Sequence, residues 1–151
     1  MTPGTNVANF TLPDQDGNVV NLTDFKGKPV VLFFYPKADT PGCTIEACGF
    51  RDHFKKLQKA GVVVLGISRD TVKAQKKFQE KYDLPYPLLA DADQTVCNRF
   101  GVLKEKSMYG KKVTGIERTT YVIGPDQKLI HEFNKVKPEG HAEEVLALLK
   151  K

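Results

Sequence analysis

Val30-Val31-Leu32-Phe33-Phe34-Tyr35, followed by Pro36-Lys37-Ala38-Asp39-Thr40-Pro41-Gly42-Cys43, is the stretch on which the reading of this chain turns. An unbroken apolar run suits a strand covered on both faces, as in a parallel sheet. Pro36 ends it. From Thr40 the period changes: Cys43, Ala47, Phe50, Phe54 and Leu57 fall on one face of an α-helix. Gly61 closes that helix, and Val62 to Ile67 repeats the pattern of a buried strand. Strand, helix and strand in that order imply a parallel pair with a right-handed crossover.

Working outward, Thr71 to Tyr82 reads as a second helix with Val72, Phe78 and Tyr82 inward. Pro85 and Pro87 bracket an extended piece ending at Leu88 to Ala90, and Asp93 to Phe100 reads as a brief third helix. Arg118 to Ile123 and Lys128 to Phe133 are strands whose short Gly124-Pro125-Asp126-Gln127 connection fits only an antiparallel hairpin. The last helix, about His141 to Lys150, turns Ala142, Val145, Leu146 and Leu149 to one side. Glu143 and Glu144 at its start, with Lys150 and Lys151 at its end, match the helix dipole. On the N-terminal side, strand-like pieces around Phe10 to Leu12 and Val19 to Leu22 flank a turn at Asp14 to Asn18. The sum is an α/β fold, a central mixed β-sheet flanked by helices on both faces. With no repeat or linker, residues 1–151 are expected to form a single domain.

The composition narrows the function. A hydrophobic share of 40% and a charged share of 27% suit a soluble globular protein. No stretch approaches the length of a membrane span. Met1 to Asn9 lacks a basic segment followed by an apolar run, so no signal peptide is expected and the chain is placed in the cytosol. The net charge of +5 is spread over the chain rather than gathered into an arm. Even the densest stretch, Lys104 to Lys112, contains Glu105 and reads as a solvated loop, so nucleic acid is not expected as a partner. Three cysteines in a cytosolic chain argue against a structural disulfide framework, because thiols there are kept reduced.

Cys43 is the most informative residue. It sits in the first turn of its helix, where unpaired N–H groups and the positive dipole end favour a thiolate. Thr40 and Pro41 make a good N-cap and N1 pair, yet a capping hydroxyl can still meet a substrate oxygen. On residue type alone, a buried cysteine serves as readily as a small hydrophobe.

The neighbours of Cys43 decide between these readings. Pro36 through Cys43 resembles the active-site signature of the peroxiredoxins: a proline, then a threonine, then the peroxidatic cysteine. Thr44-Ile45-Glu46-Ala47-Cys48 narrows the resemblance to the bacterioferritin comigratory protein (peroxiredoxin Q) subfamily, and it runs from Asn9-Phe10 through Gly115-Ile116-Glu117-Arg118 to the final helix. It implies a thioredoxin-like fold and a thiol peroxidase acting on hydrogen peroxide and organic hydroperoxides, with no cofactor and no metal. By the same resemblance, Cys43 attacks the peroxide and Thr40 hydrogen-bonds thiolate and peroxide. Pro36 shields the pocket, and backbone N–H groups near Gly42 and Cys43 support the substrate oxygens. Arg118 matches the family's arginine, which would stabilise charge during O–O cleavage. Without the motif, Arg118 reads as a surface cation at a strand end.

The resemblance further implies that Cys48 resolves the Cys43 sulfenic acid as an intramolecular disulfide, which a thioredoxin-type dithiol then reduces. It also implies a monomer. In an intact helix, α-carbons five residues apart lie about 8–9 Å from one another. A disulfide needs roughly 4.4–6.8 Å, so pairing Cys43 with Cys48 requires the first turns of the helix to unwind. Gly42 and Gly49 flank the segment and lower its helix stability.

Three other functions compete. A dithiol oxidoreductase acting on protein disulfides would use a two-residue spacer between its cysteines, whereas four residues separate these. A redox sensor or holdase would oxidise Cys43 without turnover. A zinc module lacks ligands, since His53 is badly spaced from both cysteines and His131 and His141 have no partner nearby. Cys97 reads as a core thiol, and Asp91 and Asp93 read as helix caps.

Overall fold

The structure, a computed structural model, describes residues 3–108 and 110–149. At its centre is a five-stranded sheet in the order β5-β4-β3-β8-β9. Its strands are β3 (Val30–Phe34), β4 (Val63–Ser68), β5 (Leu88–Ala90), β8 (Thr119–Ile123) and β9 (Leu129–Phe133). β3 pairs parallel with β4, and β4 with β5. β8 runs antiparallel to both β3 and β9. The expected mixed sheet and terminal hairpin are therefore present.

Every residue of β3 is buried, and alternate residues face two separate cores. Val31, Phe33 and Tyr35 point to the side covered by α1 (Pro41–Asp52), α2 (Phe54–Lys59), α3 (Val72–Lys81) and α5 (His141–Leu149). Val30, Leu32 and Phe34 point to the other, covered by α4 (Thr95–Phe100) and the N-terminal β1–β2 ribbon (Thr11–Pro13 and Val19–Asn21). Phe33 stacks on Phe50 of α1 with ring centroids 4.8 Å apart, which seats the cysteine-bearing helix on the sheet. Gly66 in β4 makes room for this packing. A Cβ there would lie 2.9 Å from both Phe33 and Leu88.

Several expectations need correction. The long helix from Thr40 to Gly61 is two helices, α1 and α2, broken at His53 (φ −102°, ψ 6°). The helical phase survives the break because His53 N–H still reaches Gly49 O and Leu57 N–H reaches His53 O, so Leu57 stays inward. In α3 the fully buried positions are Gln75 and Phe78 and Val72 is only half-buried, while Tyr82, just past its end, packs against the core as expected. The lysine-rich stretch read as a loop is a β-hairpin, β6 (Leu103–Met108) with β7 (Lys111–Ile116). Lys150 and Lys151, expected to close the last helix, lie outside the described residues. Asp91 does cap α4: its carboxylate accepts from Val96 N–H at 3.2 Å and Cys97 N–H at 2.7 Å.

Candidate active site

Cys43 is the third residue of α1 and is 1% exposed, on the seam facing the sheet. Arg118, which immediately precedes β8, lies across from it. β8 pairs beside β3, the strand that leads into α1, so residues 75 positions apart in sequence meet at one point. Arg118 Nη2 donates to the Cys43 sulfur at 3.5 Å, and Arg118 Nη1 donates to Glu46 Oε1 at 3.0 Å. Glu46 follows Cys43 by three residues and therefore shares its helix face. It is 1% exposed, and its Oε2 has no hydrogen-bond partner among the described residues.

This buried carboxyl is pushed up to about 7 by its burial, against the opposing pull of Arg118. Burial works against the Arg118 charge too, but Glu46 and the Cys43 sulfur together raise its pKa above the ordinary arginine value. The guanidinium is thus a largely covered cation with Nη1 on a carboxyl and Nη2 on sulfur. Sequence reasoning missed Glu46. Its signal was an acidic residue on the inward face of an otherwise apolar seam.

Gly42 lets the helix start lie close against Arg118. A Cβ at this position would sit 3.0 Å from Arg118 Nη2 and 3.5 Å from Pro138 Cγ. Thr40 occupies the N-cap position in extended backbone, but its hydroxyl does not cap the helix. It donates instead to Lys37 O at 2.9 Å, while Thr40 O accepts from Thr44 N–H. Pro36 ends β3 and borders a shallow depression with Lys37, Arg69, Asp70 and Gln94. Asp70 holds the loop between Pro36 and Thr40 by accepting from Ala38 N–H at 2.7 Å.

All three cysteines are free, and residues 43–48 are helical. Cys48 does not share the buried seam of Cys43. It is half-buried in a groove between α1 and the start of α5, bordered by Ile45, Asp52, Pro138, Ala142 and Glu143. Burial raises its thiol pKa above the ordinary value. Cys97 is buried on the opposite side of the sheet, beside Asp91, and burial together with that carboxylate pushes its thiol well up. His141 is buried at the start of α5, with Nε2 2.8 Å from Thr120 Oγ1 and Nδ1 3.0 Å from Glu144 Oε1. Among the described residues, no helix is long and apolar enough to cross a membrane.

A sequence profile described as the AhpC/TSA family matches residues 3–132. A Coxiella burnetii protein named for the bcp peroxiredoxins is 55% identical over 140 residues, covering 93% of each chain. Peroxiredoxin Bcp of Escherichia coli (strain K12) is 52% identical over 141 residues, covering 93% of this chain and 90% of its own. Among solved structures, Xanthomonas campestris bacterioferritin comigratory protein, described through its alkyl peroxide reduction activity, superposes with a TM-score of 0.89. It is 42% identical, over 93% of this chain and 90% of that one. A cysteine-to-serine variant of Xylella fastidiosa PrxQ superposes with a TM-score of 0.95 at 38% identity, over 99% and 96% of the two chains.

Proposed function

The chain belongs to the AhpC/TSA family and is a peroxiredoxin of the Bcp type, and from that premise we propose a two-cysteine peroxidase cycle carried by the residues around Cys43. The observation that supports it most is the contact between Arg118 and the Cys43 sulfur at the start of a helix.

The Cys43 thiolate attacks the terminal oxygen of a hydroperoxide. An S–O bond forms as the O–O bond breaks, and the departing oxygen takes a proton and leaves as water or an alcohol. Charge develops on that oxygen, and preorganised donors in a dry site stabilise such charge most effectively. Arg118 supplies one of them through the Nη2 that faces the Cys43 sulfur, while Nη1 is held by Glu46. The unpaired N–H groups of the first turn, at Gly42 and Cys43, supply others. Thr40 joins by turning its hydroxyl from Lys37 O toward the bound oxygen, while Pro36 closes the approach.

Cys43 then stands as a sulfenic acid. Cys48 attacks its sulfur, the S–O bond breaks, and the oxygen leaves as water, giving an intramolecular disulfide. In an intact α1 Cys43 is buried on the sheet-facing seam while Cys48 borders the groove beside α5, so this step needs residues 43–48 to unwind. Unwinding carries the disulfide to the surface, where a thioredoxin-type dithiol reduces it. Hydrogen peroxide and organic hydroperoxides are the substrates, and the enzyme works as a monomer in the cytosol.

The test is turnover of hydrogen peroxide and an organic hydroperoxide by wild type, C43S and C48S with thioredoxin, its reductase and NADPH. The cycle predicts no turnover for C43S and crippled recycling for C48S. Wild-type protein that consumes neither peroxide overturns it in favour of a sensor or a dithiol oxidoreductase.

A further inference from the structure

One short stretch, Lys81 to Tyr86 at the end of α3 and beyond, reaches three points along the segment that carries both proposed redox cysteines. Lys81 Nζ and the Tyr82 hydroxyl each donate to one oxygen of the Asp39 carboxylate at 2.9 Å, four residues before Cys43. Asp39 has a φ of 59°, a left-handed conformation that aspartate tolerates better than most residues, so this tie holds the loop in an unusual shape. Tyr82 O accepts from Arg51 Nη1 at 2.8 Å, three residues after Cys48. Between these two anchors, the Tyr86 hydroxyl donates to Ala47 O at 2.6 Å.

The third contact differs from the other two in where it falls. Asp39 and Arg51 lie outside the Cys43–Cys48 interval and can keep their ties while it unwinds. Ala47 lies inside it, next to Cys48. The Tyr86 ring is fully buried, 5.8 Å edge-on to Phe33 and 6.1 Å from Phe54, so packing rather than the hydroxyl itself fixes where the ring sits. Its hydroxyl is a fixed donor, held on a carbonyl that has to move.

We propose that Tyr86 is the latch of the resolution step. Its hydrogen bond to Ala47 O has to break before Cys48 can reach the Cys43 sulfenic acid, so it sets how long that acid persists. Persistence has a chemical consequence. A second peroxide oxidises the waiting sulfenic acid to sulfinic acid, with S–O bond formation, O–O cleavage and release of water or alcohol. The latch therefore sets the partition between the productive disulfide and over-oxidation. Asp39 and Arg51 meanwhile mark the limits of the unwound segment, so the opening stays local. This inference rests on the two-cysteine reading above.

Tyr86→Phe removes one oxygen and leaves the ring packing in place. Reduced wild type and variant are mixed with one equivalent of hydrogen peroxide, quenched at intervals, thiol-blocked and peptide-mapped by mass spectrometry. Loss of one neutral hydrogen bond corresponds to about a two- to tenfold change in an equilibrium. The variant should form the Cys43–Cys48 disulfide faster by about that factor, with the rate of initial Cys43 oxidation unchanged. With excess peroxide its Cys43 sulfinic acid yield should fall. Hydrogen exchange should rise in residues 43–49 and stay constant in β3 and β4, which separates a latch from general loosening. A wild type that forms the disulfide and a variant that forms it no faster overturn the latch alone. A wild type that forms no such disulfide overturns the two-cysteine reading and the latch with it.

Discussion

Half-buried Arg118 and fully buried Glu46 form an ion pair at 3.0 Å, and the same guanidinium reaches the Cys43 sulfur at 3.5 Å. A cation brought from the edge of β8 and a carboxyl brought from α1 are held together by the pairing of β8 with β3. The pair positions the cation against the sulfur. Removing either partner has a different consequence, and the two can be read separately.

Replacing Arg118 removes a charged donor from the site of developing negative charge. Loss of one such donor costs on the order of a hundred- to a thousandfold in rate. Arg118→Met, which keeps much of the packing volume, should slow oxidation of Cys43 by peroxide by about that factor. Stopped-flow kinetics of reduced protein against hydrogen peroxide measures it. A reduction smaller than about threefold would remove Arg118 from the chemical step.

Replacing Glu46 should show in stability as a function of pH. Its pKa in the fold is about 7, raised by burial from an ordinary 4.5. Between those values the folded state holds a proton that the unfolded chain has lost, so the Glu46 contribution to stability falls as pH rises through the window. His141, whose pKa burial lowers, contributes with the opposite sign. The difference between wild type and Glu46→Gln therefore isolates the carboxyl. Denaturant unfolding at intervals from pH 4.5 to 7.5 should show wild type losing ground to the variant as pH rises. A constant difference contradicts the raised pKa.

Gly42→Ala separates geometry from stability. Alanine is the better helix former by about 1 kcal/mol, so the variant should melt no lower than wild type. Its new Cβ, however, falls 3.0 Å from Arg118 Nη2 and displaces the guanidinium. Misplacement of a catalytic group by about 1 Å costs roughly a hundredfold in rate, and a shift of a few tenths of that should cost on the order of a few-fold. Peroxide kinetics beside a melting curve should show a slower but equally stable protein.

Much of this arrangement was legible in the chain. β3 was plain because all its residues are apolar, and α1 because Cys43, Ala47 and Phe50 keep a helical period. The break at His53 was invisible, since the phase of buried residues continues through it to Leu57. The β6–β7 hairpin was hidden for a different reason. It lies apart from the central sheet, and its lysine-rich strands carry no clean alternation of apolar and polar residues. At the site, Cys43, Gly42 and Arg118 were readable from a motif and come together. Thr40 was expected to cap α1 or meet the sulfur, but its hydroxyl is engaged with Lys37 O. Glu46 and Tyr86 were not readable, because which buried partner a carboxyl or a phenol finds depends on strand pairing and helix packing.

Cys97 gives a control. It is buried across the sheet from the site, and its thiol pKa is driven up, which leaves little reactive thiolate. Cys97→Ala should turn over peroxide within about twofold of wild type, at a stability cost of roughly 1 kcal/mol. A steady-state assay and a melt decide it. Loss of recycling in this variant would assign Cys97 a part in resolution.

The most direct test of the central claim is to trap the first intermediate. C48S protein, reduced and given one equivalent of hydrogen peroxide with dimedone present, is digested and mapped by mass spectrometry. The predicted result is a sulfenic-acid adduct on Cys43 and none on Cys97. An unmodified Cys43, or an adduct on Cys97 instead, would contradict the assignment of Cys43 as the residue that attacks peroxide.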